Sequence, residues 1–296
     1  MIQSHSLWRL QPPAGGANFN FIMTHKTFSL LLAGLLLVAC TANQNRSKSS
    51  EQEDDNIDQH PIEVVVHRGA NALAPENTMP SADSALAHGA TWIEVDVRTS
   101  KDGVMYNLHD ETLDRTTDGS GNIGERTSDY IDRLDAGSWY DESRFKGLHV
   151  PTIEAMLEGL KGRANVFFDV KNCNLQELVD LVRRTDFADK SFFWFAREEM
   201  LREFVGIAPE MKVKVNAADT VRLEYWKTIC TPSIVEIHAD KITPEFLDYC
   251  HRNAIKVMVG AQGESLDNYR TAIETGADMI NLDKPELFEQ LMLKGE

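Results

Sequence analysis

From Ile62 onward, short runs of β-branched and aromatic residues alternate with longer stretches in which apolar positions recur every three or four residues. The short runs, bounded by turn-forming residues, read as buried strands, and the longer stretches as helices that bury one face. Strand and helix repeating in this order implies parallel strands joined by crossover helices. Eight strands are predicted, at 63–67, 91–98, 165–171, 191–196, 212–216, 234–238, 256–259 and 279–282. Helices are expected at 79–88, 175–185, 197–205, 218–228, 244–253 and 266–275, with Thr243 and Ser265 as caps before Pro244 and Leu266. Eight such units in roughly 235 residues suit an α/β fold of the (β/α)8 TIM-barrel type, a closed parallel eight-stranded sheet. An open doubly wound sheet is the alternative, because a count of strands does not establish closure.

The alternation breaks at about 110–147, a polar segment rich in Gly, Asp and Thr. Loops at the carboxyl ends of barrel strands build active sites, so this excursion is expected to be functional.

Within a strand, successive side chains point to opposite faces. In the second strand Ile93, Val95 and Val97 suit the helix layer, which turns Glu94 and Asp96 into the barrel. The third strand repeats the device, with Val166, Phe168 and Val170 outward and Asp169 and Lys171 inward. Buried carboxylates are costly unless paired or coordinated. An all-oxygen set points to one hard divalent ion, calcium or magnesium, at Glu94, Asp96 and Asp169. The other reading is a salt-bridge network with Arg68, Lys171 or Arg115. His67 closes the first strand, and His109 ends a short strand at 105–109, so both are expected at the same mouth. Imidazoles there can exchange protons near neutral pH, and Arg68 can hold a phosphate through parallel hydrogen bonds.

Composition and charge narrow the picture. The chain has 296 residues, 42% of them hydrophobic, and a formal net charge of −16, which excludes a nucleic-acid binder that works by neutralising many phosphates. The basic start at His25 and Lys26, the apolar stretch from Phe28 to Ala39 and the following Cys40 read as a signal peptide over 1–39. Residues 1–22 have no part in it, and Met23 is a candidate start. Leu37-Val38-Ala39-Cys40 resembles the lipobox of bacterial lipoproteins, which makes Cys40 the lipidated first residue of the mature chain. Residues 40–60, almost free of apolar side chains, are expected to be a flexible tether, with the folded domain at 61–296. The expected location is therefore outside the cytoplasm, lipid-anchored on the periplasmic side or at the outer membrane. Cys173, Cys230 and Cys250 are odd in number and show no disulfide pattern.

Taken together, His67-Arg68-Gly69, Pro75-Glu76-Asn77-Thr78, Glu94-Val95-Asp96, Lys101-Asp102-Gly103, His109-Asp110 and Leu113-Asp114-Arg115-Thr116-Thr117 resemble the glycerophosphodiester phosphodiesterase family. Asp135 to Trp139, Pro151 to Glu154, and Gly276-Ala277-Asp278 with Asp283 and Pro285 extend the resemblance over the whole domain. The resemblance implies a (β/α)8 barrel and a calcium- or magnesium-dependent hydrolysis of glycerophosphodiesters to glycerol phosphate and an alcohol. It places the catalytic histidines on His67 and His109 and the metal carboxylates on Glu94, Asp96 and Asp169. Arg68 and Lys171 become phosphate contacts, with Glu76 and Asn77 as a supporting pair. Two departures stand out. Asp169 occupies a position where the family usually has glutamate, and Val257 to Gln262 replaces an aromatic run that helps wall the glycerol pocket. Gln262 is then expected to supply polar contacts, with Glu236 and His238 either lining the pocket or pairing with each other. A lyase that leaves a cyclic phosphate and a non-catalytic phosphodiester-binding lipoprotein remain the rival functions.

Overall fold

Alternation along each strand sorts the side chains into two apolar populations. Val64, Val66, Ile93, Val95, Val97, Val166, Phe168 and Val170 face outward into the main core, while Val65, Trp92, Phe167, Phe192, Ile234, Met258 and Met279 fill the barrel interior. Two such layers require strands with helices outside and a packed lumen inside. The computed structural model describes residues 61–263 and 265–294. The expected signal peptide, Cys40 and the tether lie outside the described residues.

In chain order the elements are β1 (Glu63–Val66), α1 (Met79–Ala87), β2 (Trp92–Thr99), β3 (Met105–Asn107), α2 (Ser128–Ile131), α3 (Ser138–Phe145), α4 (Ile153–Leu160) and β4 (Asn165–Asn172). They continue as α5 (Leu175–Arg184), β5 (Ser191–Phe195), α6 (Glu198–Ile207), β6 (Lys212–Asn216), α7 (Thr220–Lys227), β7 (Ile234–His238), α8 (Pro244–Arg252), β8 (Lys256–Ala261), α9 (Leu266–Glu274), β9 (Met279–Leu282) and α10 (Pro285–Lys294). The sheet runs β1-β9-β8-β7-β6-β5-β4-β2, and parallel pairing of β1 with β2, Val65 against Trp92 and Val66 against Ile93, closes it. This is the TIM barrel expected from the strand count, and the open-sheet alternative falls away. β3 is an antiparallel appendage on the end of β2, with Val97 opposite Asn107.

Stacked aromatics bind the layers: Phe167 and Phe192 lie 4.5 Å apart inside the barrel, and Phe168 and Phe193 lie 4.8 Å apart outside it. Each fully buried side chain of this size contributes about 1.5–3 kcal/mol. Above the apolar plug, Glu94, Lys214 and Asn281 are buried polar residues on inward-facing strand positions. The lumen therefore changes from oil to charge on moving toward the carboxyl ends of the strands, and the site lies on that side.

The helix starts follow their caps. Thr243 Oγ1 accepts the N–H of Phe246 at 3.2 Å, as expected. Ser265 takes the N-cap position of α9 but makes no side-chain capping bond, so its expected role is corrected. The polar excursion holds more order than its composition predicts. Leu108, Leu113, Ile123, Ile131, Leu134, Ala136 and Val150 gather around Tyr106 as a separate small core, to which α2 contributes Ile131. No helix among the described residues is long and apolar enough to cross a membrane.

Candidate active site

His67 follows β1 and Asp283 follows β9, the neighbouring strand, so the two meet at the barrel rim. His67 Nδ1 lies 2.7 Å from Asp283 Oδ1, which assigns the Nδ1 proton to that bond and turns Nε2 toward Glu94 Oε2 at 3.6 Å. Asp283 is itself fixed by the N–H of Gly263, 2.6 Å from Oδ2. Burial disfavours charge on His67, but Glu94 and the Asp283 hydrogen bond outweigh it and raise its pKa to about 9.

His109 repeats the arrangement two residues past β3, which ends at Asn107 and not at the expected 109, and its Nδ1 lies 2.8 Å from Asp110 Oδ1. Arg115 holds Asp110 through Nε at 2.6 Å and reaches both oxygens of Glu76 at 2.8 Å. Glu76 Oε1 also accepts from Arg68 Nη1 at 3.2 Å. A continuous run of ion pairs thus links Arg68, Glu76, Arg115 and Asp110 across the mouth and ends in the Asp110 hydrogen bond to His109. Its two cations hold Glu76 below the usual carboxylate range despite burial, and Arg115 does the same for Asp110.

Between the histidines lie Glu94, Asp96 and Asp169, all buried, with one oxygen from each within 4.8 Å of the others. Strand geometry puts them there: Asp96 and Asp169 are register partners on β2 and β4, and Glu94 lies one inward position deeper. Asp96 is bracketed by asparagines. Asn77 Nδ2 donates to its Oδ2 at 2.8 Å, its N–H donates to Asn107 Oδ1 at 2.8 Å, and Asn107 Nδ2 returns to the Asn77 carbonyl at 3.0 Å. Asn77 and Arg68 both adopt left-handed backbone, at φ of 59° and 57°. That conformation costs a non-glycine residue about 1 kcal/mol or more and persists where the surroundings fix it. Here it lets the Arg68 N–H reach Glu94 Oε2 at 3.0 Å and the Asn77 amide reach Asp96.

The trio is electrostatically incomplete. Burial raises the Glu94 pKa to about 8, and Asp96 and Asp169 add to the rise against the pull of His67 and Lys171. Burial and Asp96 likewise raise Asp169. Asp96 stays low despite its burial, because Lys171, His109, Asn77 and Arg68 surround it. Lys171 Nζ is 2.5 Å from Asp169 Oδ2 and 3.2 Å from Asp96 Oδ1. Asp169 Oδ1 is buried and accepts no hydrogen bond. Even with Lys171, with Arg68 Nε 3.7 Å from Asp96 Oδ2 and with His67 beside Glu94, burial and mutual repulsion keep the pKa values of Glu94 and Asp169 raised. An all-oxygen set with an unused buried lone pair fits a hard divalent cation. The salt-bridge reading is partly realised by Lys171 with Asp96 and Asp169 and by Arg68, whose Nε lies 3.7 Å from Asp96 Oδ2, but Arg115 turns away to Glu76 and Asp110.

The remaining expectations fare unevenly. Glu236 faces inward but pairs with the buried Lys214 and accepts from Asn281 Nδ2 at 3.1 Å. Gln262 is exposed at the rim and gives its amide to the same Glu236 at 3.2 Å. His238 neither pairs with Glu236 nor lines the site: it is exposed and meets Asp240 at 2.5 Å. It lies at the last position of β7, where a single 3-10 turn at Ala239–Lys241 follows and brings Asp240 beside it. Sequence reasoning gave no role to Asp283, Asp110, Asn107, Lys214 or Trp194, whose ring lies 5.7 Å from Lys171 Nζ. Strand parity, counted one step past Met279 and Asn281, points to Asp283. A cavity of about 390 Å³ lies elsewhere, between β3, α4 and α5, and none of these site residues lines it.

The chain matches the model of the glycerophosphoryl diester phosphodiesterase family over residues 67–182, from His67 past Lys171. A solved glycerophosphodiester phosphodiesterase from Agrobacterium tumefaciens strain C58 is 40% identical, with a TM-score of 0.71 over 77% of this chain and 99% of that one. Caldanaerobacter subterraneus subsp. tengcongensis has a glycerophosphodiester phosphodiesterase 29% identical over 241 residues, 78% of this chain and 98% of that protein. An Oleispira antarctica phosphodiesterase, solved in complex with the product sn-glycerol-3-phosphate, shares the fold at a TM-score of 0.68 and 24% identity, over 78% of this chain and 96% of that one. The chain belongs to the glycerophosphoryl diester phosphodiesterase family and is, with it, a phosphoric diester hydrolase.

Proposed function

We propose that this protein hydrolyses glycerophosphodiesters to glycerol 3-phosphate and an alcohol, with His67 and His109 as its general acid and base. The observation that carries the reading is the pair of imidazoles, each with Nδ1 held by a carboxylate, beside one buried trio of acids. A histidine fixed in this way presents Nε2 for proton transfer, and the carboxylate stabilises the imidazolium.

In the reaction a water oxygen bonds to phosphorus while the bond from phosphorus to the alcohol oxygen breaks. One imidazole takes the water proton at Nε2, and the other, protonated, gives its Nε2 proton to the departing oxygen. Arg68 and Lys171 hold the non-bridging oxygens, where charge develops. Glu76 aims Arg68, and Asn77 aims Asp96, so this pair positions other groups. Glu94, Asp96 and Asp169 would hold one calcium or magnesium ion, which would relieve their repulsion and polarise a phosphoryl oxygen. Gln262 contributes at most a polar rim contact. Cys40, outside the described residues, is proposed as the lipidated anchor that keeps an exported enzyme on the bacterial membrane.

Phosphorus NMR of the product tests the reaction. Release of glycerol 3-phosphate as a monoester supports hydrolysis, whereas a persistent cyclic diester overturns it in favour of the lyase.

A further inference from the structure

Beside Lys171 a cavity of about 230 Å³ opens between the barrel rim and the start of the excursion. That is roughly the space of seven or eight waters, enough for a small headgroup. Its rim side carries Arg98, Lys171 and Arg197, and its excursion side Glu111 and Asn122. The one carboxylate is already engaged, since Asn122 Nδ2 donates to Glu111 Oε1 at 2.7 Å. The arginines are not. Arg98 uses only Nε, donating to the His109 carbonyl at 2.8 Å, and its terminal nitrogens meet no acceptor among the described residues. Arg197 follows β5, makes no ion pair among the described residues, and touches only Met200 Sδ through Nη2 at 3.1 Å. By contrast Arg68 and Arg115, at the same mouth, are both tied to Glu76.

Two guanidiniums with unspent donors around one polar cavity match an anion, in a chain whose net charge of −16 otherwise repels one. Lys171 lines this cavity and also pairs with the carboxylate trio, so the cavity adjoins the site. Glycerol is a neutral polyol and gives guanidinium groups no charge to meet. In a glycerophosphodiester only the alcohol half can bring a second negative group.

We propose that this cavity receives the alcohol half of the substrate and selects diesters whose alcohol bears a carboxylate or phosphate. The proposal rests on the phosphodiesterase reading above. Glycerophosphoserine and glycerophosphoethanolamine differ by a single carboxylate, so the ratio of their kcat/KM values isolates this recognition. Arg197 is the residue to change, because Arg98 also braces His109. The wild-type enzyme is expected to favour the serine diester, and Arg197→Glu to reduce the ratio roughly tenfold, as reversing one charge near an anion in a partly wet site does. Arg197→Lys should restore most of the preference, and added salt should erode it in the wild type. An unchanged ratio in Arg197→Glu overturns the assignment and leaves hydrolysis standing. Turnover of neither diester by the wild type overturns the hydrolase reading itself, and this proposal with it.

Discussion

At the scale of single residues, the site depends on how each histidine is held. His67→Ala and His109→Ala should each lower kcat by roughly 10²–10⁴-fold, the usual contribution of a positioned acid or base. Near-normal turnover in either would remove that residue from the chemistry. Asp283→Asn replaces an acceptor with an amide and loosens both the orientation and the tautomer of His67. Its expected signature is a lower kcat with KM nearly unchanged, and an effect confined to KM would contradict the positioning role. Much of this was legible beforehand. Parity along two strands set Glu94, Asp96 and Asp169 facing inward without any coordinates. Asp110 and Asn107 were harder to read, because one lies in a turn and the other on a short appended strand where no periodicity assigns a face, whereas Asp283 follows from the parity of β9 carried one step past its end.

Among the elements, the excursion shows where pattern reading stops. Strands β6, β7 and β9 matched the predicted ranges, since short segments with β-branched residues at alternate or adjacent positions between turn residues leave little choice. The excursion reads as loop because its few apolar residues are scattered, and they converge only in three dimensions around Tyr106. Asp135 ties this lobe together by accepting from the N–H groups of Gly137, Ser138 and Gly147 and from the Ser138 hydroxyl, all at 2.7–2.8 Å. Burial opposes its charge, but these donors hold its pKa below the usual carboxylate range. A carboxyl depressed by folding contributes stability that is complete above its unfolded value, about 3.9, and is lost as pH falls through the folded value. Asp135→Ala should cost roughly 1 kcal/mol after solvent screening. The cost should appear at pH 7 as faster hydrogen exchange at Gly137, Ser138 and Gly147, and should vanish in strong acid. Unaltered exchange there at pH 7 would show that the lobe is held by other contacts.

For the molecule as a whole, the sequence specified eight βα units but not their closure, which depends on β1 pairing with β2 across the ring. The expectation that both histidines share a mouth with the carboxylates rested on that closure, since strand ends converge on one rim only once the ring is complete. The expected anchor is tested in the same whole-chain frame: Cys40→Ser should move the protein from the membrane fraction to the soluble one, and continued membrane association would point to another attachment. The central claim is that Glu94, Asp96 and Asp169 bind a hard cation on which turnover depends. Glycerophosphodiester hydrolysis by purified protein, stripped with chelator and then given calcium or magnesium, tests it most directly. Activity should disappear on stripping and return with either ion in the wild type but not in Asp96→Asn; full turnover in excess chelator would contradict the account.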